Sequence, residues 1–369
     1  MGYVAVKGGE KAIESALKLI ELFRKENRLA VDQVMGEGSL YAPDLAEMAI
    51  KQAEGDLIEA SFLIRAYRST LPRIGFSEPI DTREMFLVRR ISSAFREIPG
   101  GQILGPTRDY TQRLLDFDAS PELNCLDEFS GLDGIETEGA DEEKAGASPK
   151  AEKVSDLLRK EDLLDAPAES NADPFDITRD DLLFPLPRSG RLQALARGES
   201  GAMLALAYSS LRGYGSVHPT LAELRAGLVQ LKIRHPHTGE DVSIGEIFLT
   251  ECEGILHSGI GGIEFEEGDG EGEANAKAED FEGDCKFSLG YGLVFGQNER
   301  KAISMAILDG TTSVKDPKAP AEDQEFVLYH IDGVDAQGFI EHLKLPHYVT
   351  FQSSLDRAKR ARGESDQRL

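Results

Sequence analysis

The chain of 369 residues contains no tryptophan, three cysteines and seven histidines. Cys125, Cys252 and Cys285 are scattered, odd in number and form no CxxC pair. That argues against a disulfide framework and fits a reducing, cytoplasmic setting. No GxxxxGK[ST] segment is present, so a P-loop is excluded. No run of about eighteen apolar residues exists, so no helix is expected to span a membrane. The opening residues, Met1 to Glu10, lack a basic region followed by an apolar stretch, so no secretory signal is expected either. Neither a membrane nor a nucleic acid is an expected partner.

What the chain does have is acid, unevenly spread. Its net charge is −25. Glu122 to Asp181 holds nineteen acids and six bases, a balance of −13, and Glu264 to Asp284 holds ten acids and one lysine, a balance of −9. Together these carry −22, leaving −3 for everything else. The acidity belongs to two low-complexity insertions, and the rest of the chain can meet an anionic substrate.

Periodicity places a short strand at residues 3–6 and a helix at 10–25. Two more helices are expected, one opening at Pro43 and one over 57–71. Residues 1–120 are therefore expected to be mainly helical, 121–181 an acidic linker or insertion with one helix at 153–164. Residues 182–369 are expected to form a mixed region interrupted by the insertion at 264–284. In that region Leu228 to Arg234 alternates as a strand, 244–253 follows, and Asn298 is placed to cap a helix reaching Asp309. A last helix is expected at 351–362. Two Gly-Tyr-Gly segments, at 213–215 and 290–292, are expected at tight strand ends. The fold class expected is α+β.

Between Arg65 and Arg113 stand nine arginines, five acids and no lysine. Within this stretch, Ile98 to Thr107 is a loop rich in turn residues, including Gly100 and Gly101, that leads to a helix expected at 109–117. Arginine forks match phosphate oxygens, and glycine lets backbone amides approach an anion. Arg89, Arg90 and the glycines are candidates for holding phosphate, with Arg108 and Asp109 placed for a phosphate and a ribose. A solvated arginine face paired with Glu78, Asp81 and Glu84 fits the same composition. Lys7, before Gly8-Gly9 and a helix start, could hold a phosphate at the helix N-terminus, or mark a plain strand–turn–helix.

Glu251 and Glu253 share one face of the expected strand, with Cys252 opposite. Two such carboxylates can divide acid and base work or stabilise an oxocarbenium-like sugar. Cys252 suits a small buried apolar residue, and His218 a turn cap or a general acid. His342 and His347 are about 500° apart on a continuous helix, but Pro346 breaks the helix and allows the rings to converge. Two imidazoles fall short of the three or four ligands a zinc site needs. They either flank a turn or await ligands from elsewhere.

Several ordered blocks resemble one family. They include Tyr3 to Ala12, Arg89 to Ser92, Ile98 to Thr107 and Asp109 to Thr111. Further on come Ala205 to Ser209, Arg212 to Gly215, Thr250 to Glu253, Gly290 to Gly296, Glu299 to Ala302 and His342 to Tyr348. Together they are similar to the I subunit of the bacterial carbon–phosphorus lyase core complex over nearly the whole chain; the acidic insertions depart from it. The resemblance implies a part in phosphonate use: with G and H partners and an ATP-binding accessory subunit, adenine of MgATP is displaced by an alkylphosphonate. The product is α-D-ribose 1-methylphosphonate 5-triphosphate, and the subunit alone is linked to nucleosidase activity. It also implies that the histidines matching His342 and His347 share zinc with the J subunit. A scaffold role without chemistry, and a stand-alone zinc hydrolase with His330 or Asp332 as third ligand, are the rival expectations.

Overall fold

The computed structural model describes residues 27–109, 152–166, 173–214, 219–256 and 286–363. The strand at 3–6, the helices at 10–25 and 109–117, Lys7, His218, the second acidic segment and much of the first lie outside those residues.

Helices α1 (Arg28–Gly38), α2 (Pro43–Gln52) and α3 (Leu57–Thr70) form the N-terminal part. Pro43 begins α2, where its missing amide costs no helical hydrogen bond. Asp56 caps α3 by accepting from the amides of Ile58 and Glu59 at 2.9 and 3.1 Å. The three helices close on one another through Val34, Met35, Ala46, Ala49, Ala60 and Ile64.

Strands β1 (Phe86–Ile91), β2 (Pro219–Arg234), β3 (Asp241–Leu256) and β4 (Ser288–Phe295) form one antiparallel sheet in that order. β1 falls in the stretch expected to be mainly helical, and its pairing with β2 ties the N-terminal helices to the mixed C-terminal region. The remaining helices are α4 (Val154–Lys160), α5 (Arg188–Arg197), α6 (Ser200–Ser209), α7 (Glu299–Thr311), α8 (Gln324–His330), α9 (Gly333–Glu341) and α10 (Tyr348–Ala361). The class is α+β, as composition and periodicity indicate.

The two faces of the sheet differ in chemistry. On one, Leu224, Cys252 and Val294 pack with Ala302, Met305 and Ala306 of α7, and with Leu195 and Met203 beyond. Gly290 and Gly292 do not close a strand end: they lie inside β4 beneath α7. There a Cβ would overlap the carbonyls of Ala306 and Ala302, so glycine lets the helix sit directly on the strand. The other face is charged. It is covered by a strap, residues 152–166, whose Val154, Leu158 and Leu164 pack on Ile98, Ala222 and Ile255. α4 within it is shorter than the helix expected at 153–164.

The chain then runs out along an arm. No residue of α9 or α10 is buried. Phe339, Ile340, Leu345, Tyr348, Val349 and Phe351 are each between 63% and 76% exposed. An apolar stripe of that extent marks a surface that belongs against something else.

Candidate functional site

The glycine loop is folded onto the edge of β1 by the two arginines that precede it. Arg90 and Ile103 exchange backbone hydrogen bonds at 2.8 Å in both directions. The Arg90 side chain donates to the carbonyls of Pro99 and Glu152, and Arg89 donates to that of Leu104 at 2.7 Å. Gly100, Gly101 and Gly105 take positive φ values of 80°, 77° and 58°, a region that favours glycine.

Consecutive strand residues point to opposite faces, so Arg89 and Arg90 part company. Arg89 turns toward the start of α7. Its Nη2 donates to Asp109 at 2.6 Å, and its Nε lies 2.8 Å from Glu299. Nearby, Gln297 donates through Nε2 to the Pro106 carbonyl at 2.6 Å and through its amide to Asp32 at 2.8 Å. Asp32 also accepts from Arg28 at 2.9 Å. Burial pushes the Asp32 and Glu299 carboxyls up, against the pull of Arg28 on one and Arg89 on the other. Arg89 is buried, whereas the Asp109 side chain is 57% exposed. Arg108 is half-buried beside it.

Arg90 turns instead to the charged face. It donates to Glu223 at 2.6 Å, and both side chains are buried. Beside them Glu251 accepts from Thr82 at 2.7 Å, Lys153 at 2.8 Å, Tyr291 at 2.8 Å and Arg225 Nε at 2.9 Å. Burial alone would raise the Glu251 carboxyl, but Arg225 and Lys153 outweigh it and hold the group down to about 2. Glu253 meets Lys153 at 3.2 Å, and its Oε2 meets no donor among the described residues; burial raises this carboxyl. The two glutamates do share a face with Cys252 opposite. Both are sealed beneath the strap.

The structure thus divides the candidate residues. Glu251, Glu253 and Arg90 lie on the strap face; Arg89, Arg108 and Asp109 lie on the α7 face; the loop with Gly100 and Gly101 wraps the edge between them. Glu223, Arg225, Lys153, Tyr291, Asp32, Gln297 and Glu299 were not singled out from sequence. Glu223 and Arg225, charges alternating with apolar residues inside a strand, gave a signal. Lys153, in a segment read as a linker, gave none.

The histidine pair forms a separate centre on the arm. The rings of His342 and His347 lie 5.2 Å apart between centroids, with Pro346 turning the chain between them. Each Nδ1 is engaged by a nearby carbonyl, that of Phe339 for His342 and that of Leu345, at 2.6 Å, for His347. That arrangement leaves each Nε2 as the ring nitrogen not engaged by those carbonyls. Among the described residues no group of three or more His, Cys, Asp or Glu side chains is placed to hold a metal ion. His330 stacks on Phe326, and Asp332 caps α9 and pairs with Arg65 at 2.8 Å. Neither completes the pair.

The family model described as "Bacterial phosphonate metabolism protein (PhnI)" matches residues 2–365. The chain is 46% identical to the "Putative C-P lyase subunit protein HtxH" of Stutzerimonas stutzeri, over 97% of this chain and 95% of that protein. It is 44% and 43% identical to proteins named "Alpha-D-ribose 1-methylphosphonate 5-triphosphate synthase subunit PhnI". The first, from Escherichia coli (strain K12), aligns over 99% of both chains. The second, from Rhizobium meliloti (strain 1021), aligns over 99% of this chain and 96% of its own.

Proposed function

The chain belongs to the bacterial phosphonate metabolism protein (PhnI) family, and from that premise we propose that it is the ribosyl-transferring subunit of a cytoplasmic carbon–phosphorus lyase complex. The substrates are MgATP and an alkylphosphonate. A phosphonate oxygen forms a bond to ribose C1′ as the bond to adenine N9 breaks, and the base leaves with the proton that the phosphonate gives up. The product is ribose 1-phosphonate 5-triphosphate; with water as acceptor, the same step is a nucleosidase reaction. Magnesium enters with the nucleotide.

Such a step needs a carboxylate near the sugar, a proton for the leaving base and a grip on the phosphates. The single observation that carries the assignment of roles is the pairing of buried Arg89 with exposed Asp109. It presents a fixed carboxylate at the end of a glycine loop. Asp109 faces the ribose, while Arg108 and the Gly100 amide receive phosphate; the Gly101 amide donates to the Ile98 carbonyl at 2.9 Å and shapes the loop instead. Arg89 and Arg90 act by holding that loop. Glu251 and Glu253 act at one remove, through Lys153 and the strap.

Zinc is held by His342 and His347 together with ligands of the J subunit; the two free Nε2 atoms and the apolar arm around them support a shared site. Bound there, zinc supplies a fixed cross-link between the chains. The G and H subunits and the ATP-binding accessory subunits complete the assembly.

The test uses the reconstituted complex with MgATP and methylphosphonate, following adenine by chromatography. Asp109→Asn should lower the turnover by about a hundredfold or more without dissolving the complex. One observation favours the scaffold role instead: Arg89 and Arg90 have their charges met inside the fold. An assembled Asp109→Asn complex that turns over normally would favour that role.

A further inference from the structure

Arg89 divides a single positive charge between two carboxylates. Its Nη1 donates to the Leu104 carbonyl at 2.7 Å, its Nη2 to Asp109 at 2.6 Å, and its Nε lies 2.8 Å from Glu299. Nε and Nη2 form one edge of the guanidinium, the fork that ordinarily takes both oxygens of one carboxylate. Here that edge meets one oxygen from each of two. The division is unequal. Asp109 accepts a hydrogen bond, whereas Nε has no hydrogen-bond partner among the described residues, because the Glu299 oxygen lies off its N–H direction.

Two carboxylates gathered on one guanidinium repel each other, and the strain is relieved when one of them keeps a proton. Exposure selects which. The Asp109 side chain is 57% exposed and that of Glu299 only 20%. Burial pushes the Glu299 carboxyl up, Arg89 and Gln297 pull it down, and Asp109 pushes it up again; the net direction is upward. Position in the first turn of α7 favours its anion, but does not reverse that direction. The charged groups that face it are Arg89 from β1, Arg108 and Asp109 from the loop, and Asp32 and Arg28 from α1. The last two pair with each other at 2.9 Å. They reach Glu299 through Gln297, whose amide donates to Asp32 at 2.8 Å and whose Nε2 donates to Glu299 at 3.3 Å.

We propose that Glu299 is a positioning residue that keeps a proton beside Asp109, and that Asp109 passes this proton to a ring nitrogen of the leaving base. As the C1′–N9 bond breaks, its electron pair goes to the adenine and the proton of the carboxyl pair goes with it. The phosphonate, on bonding to C1′, gives up the proton that restores the pair, so the overall balance is the one set out above. The inference rests on the reading of Asp109 as the carboxylate at the ribose, and its test separates the two.

The reconstituted complex is given MgATP and methylphosphonate, and kcat and KM are taken from adenine release between about pH 5 and 9. Glu299→Gln should lower kcat about a hundredfold near neutral pH and leave KM for ATP within about twofold. The deficit should narrow toward the acid end, because Asp109 without a neighbouring carboxylate holds a proton only at lower pH. Glu299→Asp, which keeps a carboxyl, should fall between the two. A wild-type rate in Glu299→Gln overturns the proposal. So does an equal fractional loss at every pH, which would make Glu299 a prop for the loop. Should Glu299→Gln fail to assemble, the wild type still judges: a kcat that does not fall on the alkaline side overturns the proposal. Asp109→Asn distinguishes the failures. If it is slow while Glu299→Gln is normal, only the proton store is lost; if it too is normal, the reading of the site goes with it.

Discussion

Arg89 and Arg90 are neighbours in β1, yet one guanidinium pairs with Asp109 beside α7 and the other with Glu223 on the far side of the sheet. The strand's two-residue period is the whole cause. Arg90→Met should leave buried Glu223 without its close cation, with only the Val154 amide at 2.9 Å and Arg225 at 3.8 Å beside it. The expected loss is about 3–5 kcal/mol, measured by urea unfolding. A loss below about 1 kcal/mol would mean that the pair is open to water.

Gly105 and Gly101 both have positive φ, but their surroundings differ. A Cβ on Gly105 would overlap the Val88 carbonyl, while one on Gly101 would meet nothing. Gly101→Ala should cost about 1–2 kcal/mol, for the left-handed backbone alone. Gly105→Ala should cost more and loosen the loop from β1. Thermal unfolding of the two variants side by side checks the order.

Lys301 on α7 is fully buried, and its Nζ has no hydrogen-bond partner among the described residues. Burial pushes its amine down from 10.5 to about 8, with Glu37, Glu199 and Asp332 pulling it up and Arg65 pushing it further down. Between those two values the unfolded chain holds more protons than the folded one, so this group makes stability rise with pH through that window. Its contribution is complete above the upper value and is lost as pH falls through about 8. Lys301→Met should flatten the rise in melting temperature between about pH 8 and 10.5. A parallel pH profile in wild type and variant would place the charge elsewhere.

His342→Ala and His347→Ala should each abolish zinc retention by the assembled complex, while the isolated wild-type chain should hold less than one equivalent. Elemental analysis after gel filtration reads both. Stoichiometric zinc in the isolated chain would require a third ligand outside the described residues and would revive the hydrolase.

The elements with one-dimensional signatures were legible in the residues themselves. Pro43 and Asn298 mark helix starts because caps and first turns depend on local backbone donors. Alternation around Leu228 and around Cys252 marks strands, because the pleat fixes which side each residue faces. The nearness of the two imidazoles followed from Pro346. What no local pattern contains is which face each strand turns toward which neighbour. That depended on α7 settling onto the glycines of β4 and on the strap carrying Lys153 across the other side. Those long-range contacts put Asp109 at the surface and Glu251 out of reach of solvent. Spacing along a chain says nothing about solvent access once distant segments close over it.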